Sequence, residues 1–251
     1  MERDDLSQRL SRIDTIWSEV IAAHGSNSDA VSRAQQALVQ RYHGAVYRYI
    51  LGAVRDANAA DDLSQEFALR FVRGDFKRAA PERGRFRDYV KTALFHLIVD
   101  HQKRRQAQAK LSALEDPDAA QVEELSGDDE AFLKRWRDEL LNRAWEALAE
   151  VERLTGQPLH AVLRLRAHQP DLPSPRMAET LSERLGRPIT AVGIRQTLHR
   201  AREKYADFLL EEVARSLETT DPDRLEQELI DLGLLSYCRS ALARQPGRAG
   251  K

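Results

Sequence analysis

Arg195, Gln196, His199, Arg200 and Arg202 crowd into a short stretch of the chain. An arginine fork can pair with guanine and a glutamine amide with adenine across the major groove of duplex DNA. Such readers need a narrow, rigid support, and the neighbouring residues predict one. Ile194, Leu198, Ala201 and Tyr205 recur at helical spacing, so one face packs inward and the polar set is left outside. Thr190 is placed to cap this helix through its hydroxyl. Upstream, Ser174-Pro175 opens a shorter helix that Gly186-Arg187-Pro188 closes. Two helices joined by a Gly-containing turn, the second bearing Arg and Gln near its start, describe a helix-turn-helix. The plainer alternative is an amphipathic helix with solvated arginines.

A second group combines cations with aromatic rings. Gly74 to Gly84 reads as a basic loop carrying Lys77, Arg78 and Arg83, followed by Arg85 and a helix expected over 85–105. That helix holds Arg87, Tyr89, Lys91, Phe95 and His96 and ends near Arg104 and Arg105. Cations that hold phosphates beside rings that stack on unpaired bases suit an opened nucleic-acid strand. The competing reading is a core helix whose basic end complements its own dipole. Tyr89 and Phe95 also fit an inward stripe. A third group, Asp61, Asp62, Gln65 and Glu66, forms an acidic face on a helix anchored by Leu63 and Phe67. It could meet a basic partner surface or simply be solvated.

The elements that position these groups are helical throughout. Leu6, Leu10, Ile13, Trp17 and Val20 predict an amphipathic N-terminal helix, and further helices are expected over about 31–55 and 59–73. Periodicity lapses from Gln106 to Asp129, where Pro117, Gly127 and acidic residues predict a flexible linker. Charge is segregated: seven basic and three acidic residues lie between Arg73 and Lys91, and eight acidic and no basic ones between Leu111 and Leu133. Helix returns at about Glu130, again at Leu159 to Ala167, and then in the helix-turn-helix. Asp221-Pro222 signals one more helix that Gly233 closes, with Leu234 to Ala243 adding a turn or two. The fold class expected is all-α. It comprises an extension over 1–30, a domain over 31–105, the acidic linker 106–129, a domain over 130–217 and a helical C-terminal extension over 218–251.

Composition narrows the function classes. With 251 residues, 42% hydrophobic and 31% charged, the chain supports one large or two small cores. No apolar run is long enough to span a bilayer, and the charged start Met1-Glu2-Arg3-Asp4-Asp5 lacks a signal-peptide core, so no membrane partner and a cytoplasmic location are expected. The single cysteine, Cys238, rules out an internal disulfide and a cysteine-based zinc site. The seven histidines are scattered, and no His-Glu-x-x-His, Gly-x-Ser-x-Gly or phosphate-binding glycine loop occurs. No enzyme, metal or cofactor is therefore expected.

Three strings in order carry a family resemblance. Asp61-Asp62-Leu63-Ser64-Gln65-Glu66-Phe67 resembles the polymerase-binding helix in region 2 of the sigma-70 family of bacterial RNA polymerase initiation factors. Phe86-Arg87-Asp88-Tyr89-Val90-Lys91-Thr92-Ala93, followed by Asp100-His101-Gln102-Lys103-Arg104-Arg105, is similar to that family's −10 helix, with His96 where the family commonly has Asn. Leu198-His199-Arg200-Ala201-Arg202 is similar to its −35-reading helix in region 4. The layout resembles the compact extracytoplasmic-function form.

The resemblance implies a non-enzymatic initiation factor whose partners are core RNA polymerase and promoter DNA, and it leaves room for an anti-sigma factor or a regulatory kinase. It assigns Asp61, Asp62, Gln65 and Glu66 to polymerase. It assigns Lys77, Arg78, Arg83, Arg85, Arg87, Tyr89, Lys91, Phe95, His96, Arg104 and Arg105 to the −10 element. To the −35 element it assigns Thr190, Arg195, Gln196, His199, Arg200 and Arg202. The alternatives are a stand-alone helix-turn-helix regulator, or a helical scaffold that binds a sigma factor.

Overall fold

The computed structural model describes residues 28–73, 85–113, 129–217 and 221–244. Among these residues all regular structure is α-helical: α1 (Ser28–Val54), α2 (Ala57–Arg73), α3 (Phe86–Ala113), α4 (Asp129–Thr155), α5 (Leu159–His168), α6 (Ser174–Leu185), α7 (Ala191–Arg215), α8 (Pro222–Asp231) and α9 (Leu235–Ala243). The expected N-terminal helix, the basic loop, most of the acidic linker and the tail after Arg244 lie outside the described residues. No described helix is long and apolar enough to cross a membrane.

Two compact units divide the chain. The first contains α1, α2, α3 and α4 as far as Glu139. Arg55 ends α1 in a left-handed conformation (φ 54°), and the Asp56 carboxylate accepts the Asn58 and Ala59 N–H groups at 2.9 and 3.1 Å. Asp56 thus caps α2, which starts at once after α1. The core joins Val46 and Ile50 of α1, Leu63 and Phe71 of α2, and Val90, Leu94 and Leu97 of α3. Tyr42 stacks on Trp136 at 4.8 Å between ring centroids, and Tyr49 meets Phe132 edge-on at 5.2 Å.

Both aromatic pairs tie α4 to this unit. The sequence assigns Glu130 onward to the C-terminal body, yet Phe132 and Trp136 complete the N-terminal core. An ion pair between Arg48 and Glu139 (2.5 Å) seals the edge. Gly44 makes room for it, since a Cβ there would lie 2.7 Å from the Glu139 carboxylate. α3 also runs on to Ala113 rather than ending at Arg105. The residues beyond Arg105 lose apolar periodicity but are strong helix formers, with no Pro or Gly before Pro117.

The second unit contains α4 from Leu140 and helices α5 to α9. α7 is its axis, with α5, α6, α8 and α9 packed on it. Ile194, Leu209, Leu210, Val213 and Ala214 are fully buried along its length. Asp221 caps α8 as expected, accepting the Asp223 N–H at 3.4 Å. Gly233 (φ 67°) closes it, with the Leu234 N–H returning to the Leu229 carbonyl at 2.7 Å.

The C-terminal extension is therefore part of this core. Leu225, Leu229, Leu232, Leu234 and Leu242 are buried, and Arg244 ion-pairs with Asp207 and, at 3.5 Å, with Glu203 of α7. Cys238 is buried and donates to the Ala206 carbonyl at 3.9 Å. Burial, with Asp207 nearby, pushes its thiol up to about 12. Replacing Leu229, which is fully buried, by Ala should cost about 2–5 kcal/mol, and Trp136→Ala about 3–5 kcal/mol, in urea unfolding followed by circular dichroism. A loss below about 1 kcal/mol at either site would remove that residue from the core of its own unit.

Candidate nucleic-acid interface

The α6–turn–α7 segment is built from backbone geometry that the local sequence dictates. Pro175 sits in the first turn of α6, and Met177, Ala178 and Leu181 turn inward. Gly186 (φ 63°) ends the helix in the left-handed conformation, which a residue without Cβ adopts at no steric cost. The Ser182 hydroxyl accepts the Ile189 N–H at 2.8 Å and pins the turn. Thr190 then caps α7, its hydroxyl accepting the Gly193 N–H at 3.0 Å. This bond is the N-cap that the sequence leads one to expect of Thr190, and it leaves the exposed hydroxyl's own proton available.

On α7, Ile194, Leu198, Ala201 and Tyr205 are buried, while Arg195, Gln196, His199, Arg200 and Arg202 are exposed. The Tyr205 hydroxyl donates to the Leu141 carbonyl at 3.3 Å, and burial raises its pKa. His199 lies 3.6 Å from Glu203. Among the described residues, Arg195, Arg200 and Arg202 have no ion-pair partner. Sequence reasoning missed Val192. It is 53% exposed, and with Arg195, Gln196 and His199 it follows i, i+3, i+4, i+7 spacing, which places an apolar contact on the polar face. Its position outside the Ile194–Leu198 stripe was the available signal.

The second group is only partly assembled on one surface. Phe95, at 40% exposure, and His96 lie outside the core, their rings edge to face at 5.9 Å. Arg104 and Arg105 are exposed, while Arg85 and Tyr89 are half-buried. Lys91 pairs with Asp129 at 3.1 Å. Arg87 departs from expectation: it is 5% exposed, with its Nε 4.0 Å from Asp88. The helical row Arg87, Val90, Leu94 runs into the core and carries the arginine with it, so Arg87 has no place on a strand-binding surface. Lys77, Arg78 and Arg83 lie outside the described residues.

On α2, Asp61, Asp62 and Gln65 are exposed above buried Leu63. Glu66 is half-buried and already engaged, with Arg70 at 2.5 Å and Arg104 at 3.5 Å. Leu69, also missed from the sequence, is 52% exposed and extends the Asp62–Gln65 row by one turn. Among the described residues no cluster of His, Cys, Asp or Glu has the arrangement of a metal site.

One ionisable group inside the second unit carries a pH consequence. The His160 ring meets Trp145 edge-on at 5.7 Å. Burial first, and then the nearby Arg164 and Arg184, lower its pKa from the ordinary 6.5, although Glu152 opposes the shift. Protons therefore favour the unfolded chain. The stability held by the neutral ring is full above pH 6.5 and is lost as pH falls below that value. Thermal midpoints at about pH 7.5 and about pH 5.5 should differ less in His160→Asn than in the parent chain; an equal difference would assign the acid sensitivity elsewhere.

Residues 38–108, which span α1 from its middle through most of α3, match the family model of sigma-70 region 2. No curated protein and no solved structure gives a significant match. Sigma-70 family factors are non-enzymatic transcription initiation factors. Residues 38–108 are thus similar to sigma-70 region 2, and that match supports a sigma-70 family member.

Proposed function

We propose that the chain is a transcription initiation factor of the extracytoplasmic-function type, binding core RNA polymerase and directing it to promoters. The observation that carries this reading is the region 2 match over 38–108. The solvent-facing cations of α7 support the second half of it. In this reading α2 meets polymerase through Asp61, Asp62 and Gln65, with Leu69 as an apolar contact beside them. Glu66 organises the same face through Arg70 and Arg104.

α3 captures the opened −10 strand. Phe95 and His96 take an unstacked base, while Arg85, Tyr89, Arg104 and Arg105 guide the backbone, as do Lys77, Arg78 and Arg83. Unstacking a base costs a few kcal/mol and stacking on an aromatic ring returns about 1–3 kcal/mol. Lys91 becomes available to phosphate when it leaves Asp129. The −35 element is read by α7, with Arg195, Gln196 and Arg200 as leading base or phosphate readers. Val192 is suited to a thymine methyl group, and His199 and Arg202 lie beside the leading readers. The acidic sequence between α3 and α4, 114–128, is read as a tether, and the location as cytoplasmic.

Run-off transcription with core polymerase on a genomic fragment library tests this reading: defined start sites should appear only when the chain is added. Asp61→Lys with Asp62→Lys should abolish co-purification with core polymerase while helical content is kept. Arg195→Ala should cost about 1–3 kcal/mol of promoter affinity, concentrated at one base position. An equal loss on every sequence would make Arg195 a phosphate contact. Tight operator binding with no polymerase requirement would instead favour a stand-alone regulator.

A further inference from the structure

A cavity of about 650 Å³ opens within the second unit, where α4, α5, α7 and α9 converge. Its apolar wall is made by Leu141, Trp145, Leu163 and the ring of Tyr205. Because the Tyr205 hydroxyl is spent on the Leu141 carbonyl, that residue offers mainly its ring. Arg202 of α7 and Ser236 and Ser240 of α9 supply polar groups. The size falls within the ~300–1,000 Å³ of small-molecule sites, which combine apolar walls with a few polar groups.

Charge decides what kind of molecule fits. Two arginines, Arg166 and Arg202, face one carboxylate, Glu203. Arg166 donates to neutral acceptors, the Pro170 carbonyl at 2.6 Å and the Met177 sulfur at 3.1 Å, so its charge is not neutralised by them. Arg202 has no ion-pair partner among the described residues. Glu203 is already shared by His199 at 3.6 Å and Arg244 at 3.5 Å. The lining therefore favours an anion, and its aromatic wall favours a flat apolar body.

We propose that this cavity binds a small aromatic organic anion, a carboxylate or sulfonate, with its ring against Trp145 and Tyr205 and its charge at Arg202. Arg202 and His199 belong both to the cavity lining and to the exposed polar set of α7. Occupancy then withdraws them from promoter DNA; this second consequence rests on the reading of α7 as the −35 helix. The C-terminal extension, which supplies Ser236 and Ser240, completes the site.

Anilinonaphthalene sulfonate, titrated into the full chain and followed by its fluorescence, is the probe. One equivalent should bind, and the uncharged phenylnaphthylamine should bind about tenfold more weakly, as loss of one charged hydrogen bond implies. Ser240→Trp, which narrows the cavity from an exposed position on α9, and Arg202→Glu should each weaken the sulfonate about tenfold or more with unchanged thermal midpoints. Undiminished binding in both variants, or equal binding of the uncharged analogue, overturns the site or its anion class respectively.

Promoter affinity of the polymerase-bound chain is then measured with and without saturating sulfonate. A fall of about tenfold supports the coupling, and unchanged affinity with the probe bound overturns it. Absence of any promoter binding overturns the coupling together with the reading of α7, while the fluorescence titration still decides the cavity.

Discussion

Burial of the Ile194–Leu198–Ala201–Tyr205 row is the constraint on which the second unit depends. α7 supplies the shared floor for α5, α6, α8 and α9, so rotation about its own axis would uncover apolar surface against several neighbours at once. At about 25 cal/mol per Å² of apolar surface, such a rotation is strongly opposed. The side chains left outside are the cations and amides of positions 195–202. Their presentation follows from what lies beneath them. The Thr190 cap and the Ser182 bond to Ile189 then fix where the helix begins, which sets the height of each outward side chain.

Electrostatics divides the exposed charges into committed and uncommitted sets. Glu66, Lys91 and Arg104 are held in ion pairs within the first unit. Surface pairs of this kind are worth about 0–1 kcal/mol, so a phosphate or a partner carboxylate can replace them at little cost. Arg195, Arg200 and Arg202 lack a pair among the described residues, and their fields extend into solvent. Long-range attraction to a polyanion falls on such unpaired groups, while paired ones respond only at close approach. The near-neutral net charge of −1 conceals this division.

The helical architecture was legible because its periodicity is strong. Both the Thr190 and Asp221 caps stand where the sequence puts them. Arg87 was misread because arginine is usually exposed, although the spacing from Arg87 to Val90 and Leu94 already pointed it inward. The partner of the Phe132–Trp136 stripe was not legible. An apolar face shows that a helix will be buried, but not against which neighbour, and the acidic stretch before it suggested a boundary. Tyr89 and Phe95 shared an inward-compatible stripe, and only the packing of α3 separated half-buried Tyr89 from exposed Phe95. The cavity had no sequence signal at all, since it exists only where four helices fail to close on one another.

The burial of Cys238 has a practical corollary. A thiol pushed up to about 12 is almost wholly protonated at neutral pH, and its sulfur is shut away beneath α9. Alkylating reagents attack the thiolate, so they act only when that helix lifts. As the single cysteine of the sequence, it makes the chain its own reporter: the labelling rate reads out how often α9 detaches from α7, with no residue substituted.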